Sequence, residues 1–154
     1  PQPSSRRSAE GEESMKVDPA KMDAFLNETR LARLATADAH GQPHVVPVWY
    51  LWDGESLWIS TFQSTHKVRV LRQNPRCAVV VDDEREGLEL RGVMMQGTAE
   101  LVRAPREFVE DMSTRIYTRY LGEQGVLAAE PQSWIHDEEN SLIRLTPERV
   151  VPWK

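Results

Sequence analysis

The chain has 154 residues, 40% of them hydrophobic and 28% charged, and a formal net charge of −5. That composition fits one folded domain with a single core, and its apolar runs are too short to span a bilayer. The negative balance argues against a nucleic-acid partner, and the single cysteine, Cys77, excludes an internal disulfide and leads us to expect a cytoplasmic location.

Residues 1–14 are polar and charged, with no large apolar side chain, so we expect a disordered tail, no secretory leader, and one domain over residues 15–154. Asp18-Pro19 supplies a helix cap and a first-turn proline, and Met22, Phe25, Leu26 and Thr29 follow at helical spacing. Residues 31–37, 44–52 and 56–62 then read as three strands. A turn through Gly41 joins the first two. Asp53-Gly54 joins the next two, as a tight two-residue turn whose glycine tolerates positive φ. Residues 65–73 read as a short basic helix closed by Asn74-Pro75, and residues 76–82 as a buried strand. Cys77 lies in that apolar strand and is expected to be a structural thiol, not a nucleophile. Residues 87–102 suit one bent strand or two, with Gly92 and Gly97 as bend points. A second helix starts at Pro105 and gathers Phe108, Val109, Met112, Ile116, Tyr117 and Tyr120 on one face, for core or dimer packing. Residues 122–140 read as irregular, and residues 141–151 as a last strand broken or bulged at Pro147.

These elements predict a mainly β protein with flanking helices, a six-stranded antiparallel barrel. Short turns between the first strands argue against a parallel doubly wound sheet.

Charge is unevenly spread. Residues 56–81 contain no Asp or Glu but carry Lys67, Arg69, Arg72 and Arg76. Within this stretch a strand ends at Ser60-Thr61, and a short loop leads through Thr65 into His66-Lys67 at a predicted helix start. Hydroxyls and free N–H groups at a helix N-terminus form a phosphate cradle. The same charges also fit a solvated helix face, and the pattern alone does not separate the two readings. His40 and His44 are separated by Gly41 and Pro43 and lack a third ligand, so no metal site is expected. Trp49, Trp52 and Trp58 fall in strands, where packing is the plain explanation.

The run Pro43-His44-Val45-Val46-Pro47-Val48-Trp49-Tyr50-Leu51-Trp52-Asp53-Gly54 resembles the second strand and hairpin of the pyridoxamine-phosphate-oxidase-like split-barrel proteins. Ile59-Ser60-Thr61, Ser64-Thr65-His66-Lys67, Leu71 and Asn74-Pro75-Arg76 look like that family's phosphate-binding strand, loop and helix. Gln96 to Leu101 and Ile143 to Trp153 are similar to its later bent strand and its closing strand. The resemblance implies a split barrel that binds FMN, the deazaflavin coenzyme F420 or haem, usually across a homodimer interface. The hairpin around Trp49 and Trp52-Asp53-Gly54 looks closest to the deazaflavin branch. By the resemblance, Val46, Pro47, Val48 and Trp49 would line the ring system, largely through backbone. Ser60 and Thr61 would lie beside the ring and the start of the phosphate tail, and Thr65, His66 and Lys67 would hold phosphate.

The implied function is an oxidoreductase passing a hydride between coenzyme F420 and a small organic substrate. The alternatives are an FMN-dependent reductase, or a non-catalytic flavin or haem carrier. Because the cofactor carries the hydride, no obligatory catalytic dyad is expected. The family often has Arg where His66 stands, and its deazaflavin branch Asn where Val70 stands. The chain ends at Lys154 without the C-terminal Arg and His segment of vitamin B6 oxidases, so that activity is not expected.

Overall fold

Asp18 turns the chain into helix α1 (Pro19–Asn27) by accepting the Ala20 N–H at 3.0 Å, and Pro19 costs the first turn no hydrogen bond. Phe25 and Leu26 are the residues α1 buries. Its C-terminal carbonyls, at Leu26, Asn27 and Glu28, accept from the Arg119 guanidinium, a cation at the negative end of the helix dipole. The computed structural model describes residues 18–83 and 92–153. The expected tail over residues 1–14, and the strand expected to begin at residue 87, lie outside them as far as residue 91.

Seven strands follow α1: β1 (Ala32–Ala37), β2 (Pro43–Val48), β3 (Leu51–Trp52), β4 (Leu57–Phe62), β5 (Arg76–Asp82), β6 (Gly92–Val102) and β7 (Asn140–Trp153). Helix α2 (His66–Gln73) joins β4 to β5, while α3 (Arg106–Gly125) and α4 (Ala129–Ile135) lie between β6 and β7. Every pairing is antiparallel, in the order β2-β1-β5-β6-β7-β4-β3. Strands β2 and β3 are therefore opposite edges of the sheet, yet only Trp49 and Tyr50 separate them in the chain. Flat, a sheet of this size would hold its edges about 29 Å apart. The three peptide links from Val48 to Leu51 reach about 11 Å at most. The sheet must curl until its edges nearly meet, which makes an antiparallel split barrel.

Among the described residues the strand count is seven, not the expected six, because the run 44–52 is two strands. Tyr50 divides it. Its side chain is fully buried and its hydroxyl donates to the Leu26 carbonyl at 2.7 Å. Its backbone N–H is taken by the Tyr120 hydroxyl at 3.1 Å, so it cannot join a ladder. The β3–β4 turn is also longer than expected: Trp52 pairs with Leu57, leaving residues 53–56 as the loop. Asp53 shapes it by accepting the N–H groups of Glu55 and Ser56 at 2.8 and 2.7 Å, and Gly54 supplies φ of 100°.

Inside the barrel, Leu34, Ile59, Val79, Val81, Met95 and Leu145 pack in one core. A second core forms on the outer face, where Leu51, Trp58 and Leu142 meet Val109, Met112 and Ile116 of α3. The apolar face of α3 is thus met by the chain's own sheet. The stretch expected to be irregular holds a break at Gly122, with φ of 80°, and then α4, whose Pro131 sits in a first turn that needs no N–H. The bulge expected at Pro147 is present: Gly97 pairs with Pro147 and Gln96 with Arg149, leaving Glu148 with no opposite residue.

Cys77 is buried on β5, and burial pushes its thiol up to about 11. Iodoacetamide at pH 8 should label it only after denaturation, and rapid labelling of the folded protein would contradict that assignment. No described helix is long and apolar enough to cross a membrane.

Candidate cofactor site

Strand β4 passes through a tight turn into α2. Thr65 stands at the N-cap, but its hydroxyl donates to the Phe62 carbonyl at 2.8 Å and lies 3.2 Å from the Thr61 hydroxyl, so it does not cap the helix. The first N–H groups of α2 therefore keep no side-chain acceptor, at the positive end of the dipole. Lys67 sits in that turn, half-buried, with no ion pair or hydrogen bond among the described residues. Burial holds its ammonium below the ordinary lysine range. A cation that has lost water without gaining a counter-ion is costly, and an anion placed here would relieve both it and the helix. The residues present therefore fit a phosphate. Arg69 is exposed, and Arg72, in the last turn, donates to Gln63 Oε1 at 3.4 Å. Val70, where the deazaflavin branch often has Asn, is buried.

Strand β2 is one edge of the sheet among the described residues. His44, Val46 and Val48 turn inward, while Val45 and Pro47 are exposed, Val45 at 65%. Pro43 and Pro47 share the outward parity, as expected for prolines whose missing N–H must face away from the ladder. The Val48 side chain belongs to the core, so it could meet a ligand only through its backbone.

At the end of β2, Trp49 stacks on Tyr120 with centroids 4.8 Å apart and planes at 5°. Tyr117 meets Trp49 edge-on at 5.9 Å and continues to Trp134 at 5.5 Å. All four rings are half-buried. The indole N–H groups of Trp52 and Trp58 are held by the carboxylates of Asp23 and Asp53. No such tie holds Trp49 among the described residues. Desolvation raises the hydroxyls of Tyr117 and Tyr120 above the ordinary tyrosine range.

Ser60 and Thr61 are neighbours on β4 and so point to opposite faces. Thr61 is buried beside Thr65. Ser60 turns toward α3, where it donates to Asn140 Oδ1 at 2.9 Å, lies 2.9 Å from Ser113 Oγ and accepts from Tyr117 at 3.2 Å. The structure thus gathers Thr61, Thr65, His66 and Lys67 at one end, and Trp49 and Ser60, through Tyr117, at another. Val46, Pro47 and Val48 form the edge that leads to Trp49. Tyr117, Tyr120 and Trp134 were not expected at the site. Helical spacing placed the two tyrosines on one face, but nothing local in the sequence points to Trp49 across some seventy residues.

A family model described as pyridoxamine 5'-phosphate oxidase matches residues 18–154. The chain is 34% identical over 112 residues to the 5a,11a-dehydrotetracycline/5a,11a-dehydrooxytetracycline reductase of Streptomyces rimosus subsp. rimosus, covering 66% of this chain and 79% of that one. It is similar to the solved structure of a conserved hypothetical protein from Mycobacterium tuberculosis, with a TM-score of 0.74 and 27% identity over 91% of this chain and 86% of the other. An F420 reductase matches with a TM-score of 0.67 and 25% identity, over 83% of this chain and 94% of that one. The curled antiparallel sheet, the basic strand–turn–helix and a match spanning all the described residues agree, and the chain belongs to the pyridoxamine 5'-phosphate oxidase family.

Proposed function

We propose that this protein is a cytoplasmic oxidoreductase that transfers a hydride between coenzyme F420 and a small organic substrate. The observation that carries the reading is the half-buried, unpaired Lys67 beside the uncapped N-terminus of α2, a place made for the phosphate of a cofactor. Similarity to a reductase of a tetracycline precursor and to an F420 reductase supports it. When bound, the deazaflavin supplies two-electron hydride chemistry. Thr65, His66, Lys67 and the first N–H groups of α2 hold phosphate, with Thr61 behind Thr65. The β2 edge, from Val46 to Trp49, flanks the ring. Trp49, Tyr117, Tyr120 and Trp134 offer aromatic surface to a flat conjugated substrate and keep water from it, while Ser60 orients the Tyr117 hydroxyl. An FMN-dependent reductase is the second reading, because these ends recognise what FMN and F420 share, a phosphate and a flat tricyclic ring.

Trp49→Ala should weaken F420 binding and change the fluorescence of the bound cofactor, since an aromatic neighbour both packs and quenches. Unchanged affinity together with unchanged fluorescence would return Trp49 to ordinary packing. We also propose a homodimer, in which a second copy covers the exposed β2 edge at Val45 and Pro47. Light scattering should give twice the chain mass, and a monomer that still holds cofactor at micromolar concentration would contradict this.

A further inference from the structure

Among the described residues, two buried polar atoms on the inner face of the barrel have no hydrogen-bond partner. Thr36 is 4% exposed and its Oγ1 makes no hydrogen bond, and neither does the buried Nδ1 of His44. The two are not scattered. Thr36 and His44 are directly opposed in the β1–β2 ladder, on the face where Leu34 opposes Val46 and Ala32 opposes Val48 in the core. They form the last inward rung before the turn at residues 38–42. Helix α2 covers that end: the His66 ring meets the His44 ring edge-on at 4.6 Å, and Val68 and Leu71 of the same helix enter the core. The unpartnered rung therefore lies against the first turn of α2, where the N–H groups are uncapped and Lys67 is unpaired. Buried polar groups in folded proteins are rarely left unpaired. Such groups gathered beside open N–H groups and an unpaired cation mark a position for an acceptor-rich anion.

We propose that His44, oriented by Thr36, is a further ligand to the phosphate at the N-terminus of α2. The inference rests on reading that helix end as the phosphate site, and it adds β1 and β2 to a site otherwise built from the β4–α2 turn. A neutral imidazole has one donor and one acceptor, and a protonated one has two donors. With its proton on Nε2 the ring can donate to the anion and accept at Nδ1 from the Thr36 hydroxyl, a bond that the cofactor-free structure does not make and that anion binding would close. The charged and titratable groups around it come from three elements. Asp38 and His40 belong to the turn, and Asp38 is held below the ordinary carboxylate range by the N–H groups of Gln42 and His40, so it stays negative. His66 and Lys67 come from α2. Cys77 of β5, opposite Thr36 on its other side, is a neutral thiol. Because His44 lies on the same strand as the ring-flanking residues, anchoring it to phosphate also fixes the edge from Val46 to Trp49.

The test is calorimetric titration with coenzyme F420 of the wild type, His44→Phe, His44→Gln, Thr36→Val and Lys67→Ala. His44→Phe should weaken binding about tenfold and Thr36→Val about threefold, with no fall in the melting temperature of the cofactor-free protein. His44→Gln, which keeps an N–H donor, should restore much of the affinity lost in His44→Phe. If His44→Phe binds as wild type while Lys67→Ala does not, the role of His44 is wrong and the phosphate end stands. If both bind as wild type, the phosphate end itself is misplaced.

Discussion

Replacing Lys67 by alanine should weaken coenzyme F420 binding about tenfold to a hundredfold, since a charge-assisted hydrogen bond to phosphate contributes ~1.5–3 kcal/mol. The cofactor-free protein should be no less stable. Burial lowers the folded-state pKa of Lys67, so the unfolded chain holds this proton more tightly than the folded one. Below the folded value the charged lysine opposes folding, and that opposition fades as pH rises through the folded value toward the unfolded one. At neutral pH the alanine variant is free of it. Salt should also weaken binding less in the variant, because a screened charge pair has gone. Arg72→Ala is the control: its exposed side chain, in the last turn of α2, reaches Gln63 and not the helix start. Equal losses in both variants would mean a diffuse basic field, and no loss in either a solvated helix face.

Asn140→Ala should destabilise the fold by about 3 kcal/mol, because buried hydrogen-bonding groups left unpaired cost ~1–3 kcal/mol each. Asn140 is 1% exposed at the start of β7. Its Nδ2 donates to Ser113 Oγ and to the Ile135 carbonyl, both at 3.0 Å, and its Oδ1 accepts from Ser60. One side chain therefore ties β4, β7, α3 and the end of α4 together. Alanine would leave the Ile135 carbonyl without its amide donor and the two serine hydroxyls short of partners, and the Tyr117 hydroxyl would lose a fixed neighbour. Urea unfolding followed by circular dichroism measures the loss. A cost below about 1 kcal/mol would mean that water or rearrangement satisfies the network.

What could be read in the sequence was local. Asp18-Pro19 opens α1, Asn74-Pro75 closes α2, and Pro147 marks the bulge, each because a backbone rule acts within a few residues. Thr65, His66 and Lys67 were recognisable as a helix start for the same reason. The division of β2 from β3 was not, since it depends on the Tyr120 hydroxyl reaching the Tyr50 N–H from α3. Helix α4 was obscured by its internal proline. The Thr36–His44 rung needed the register of the β1–β2 hairpin, and the aromatic cluster needed α3 laid on the outer sheet face. The separation of Ser60 from Thr61 is different in kind: a period of two along β4 already implies it.

The most direct test of the central claim is a parallel titration of the purified, cofactor-free protein with coenzyme F420, FMN and haem. Saturable F420 binding is expected, tighter than that of FMN, weakened by Lys67→Ala and altered in fluorescence by Trp49→Ala. A haem Soret band with no binding of either F420 or FMN would contradict the account.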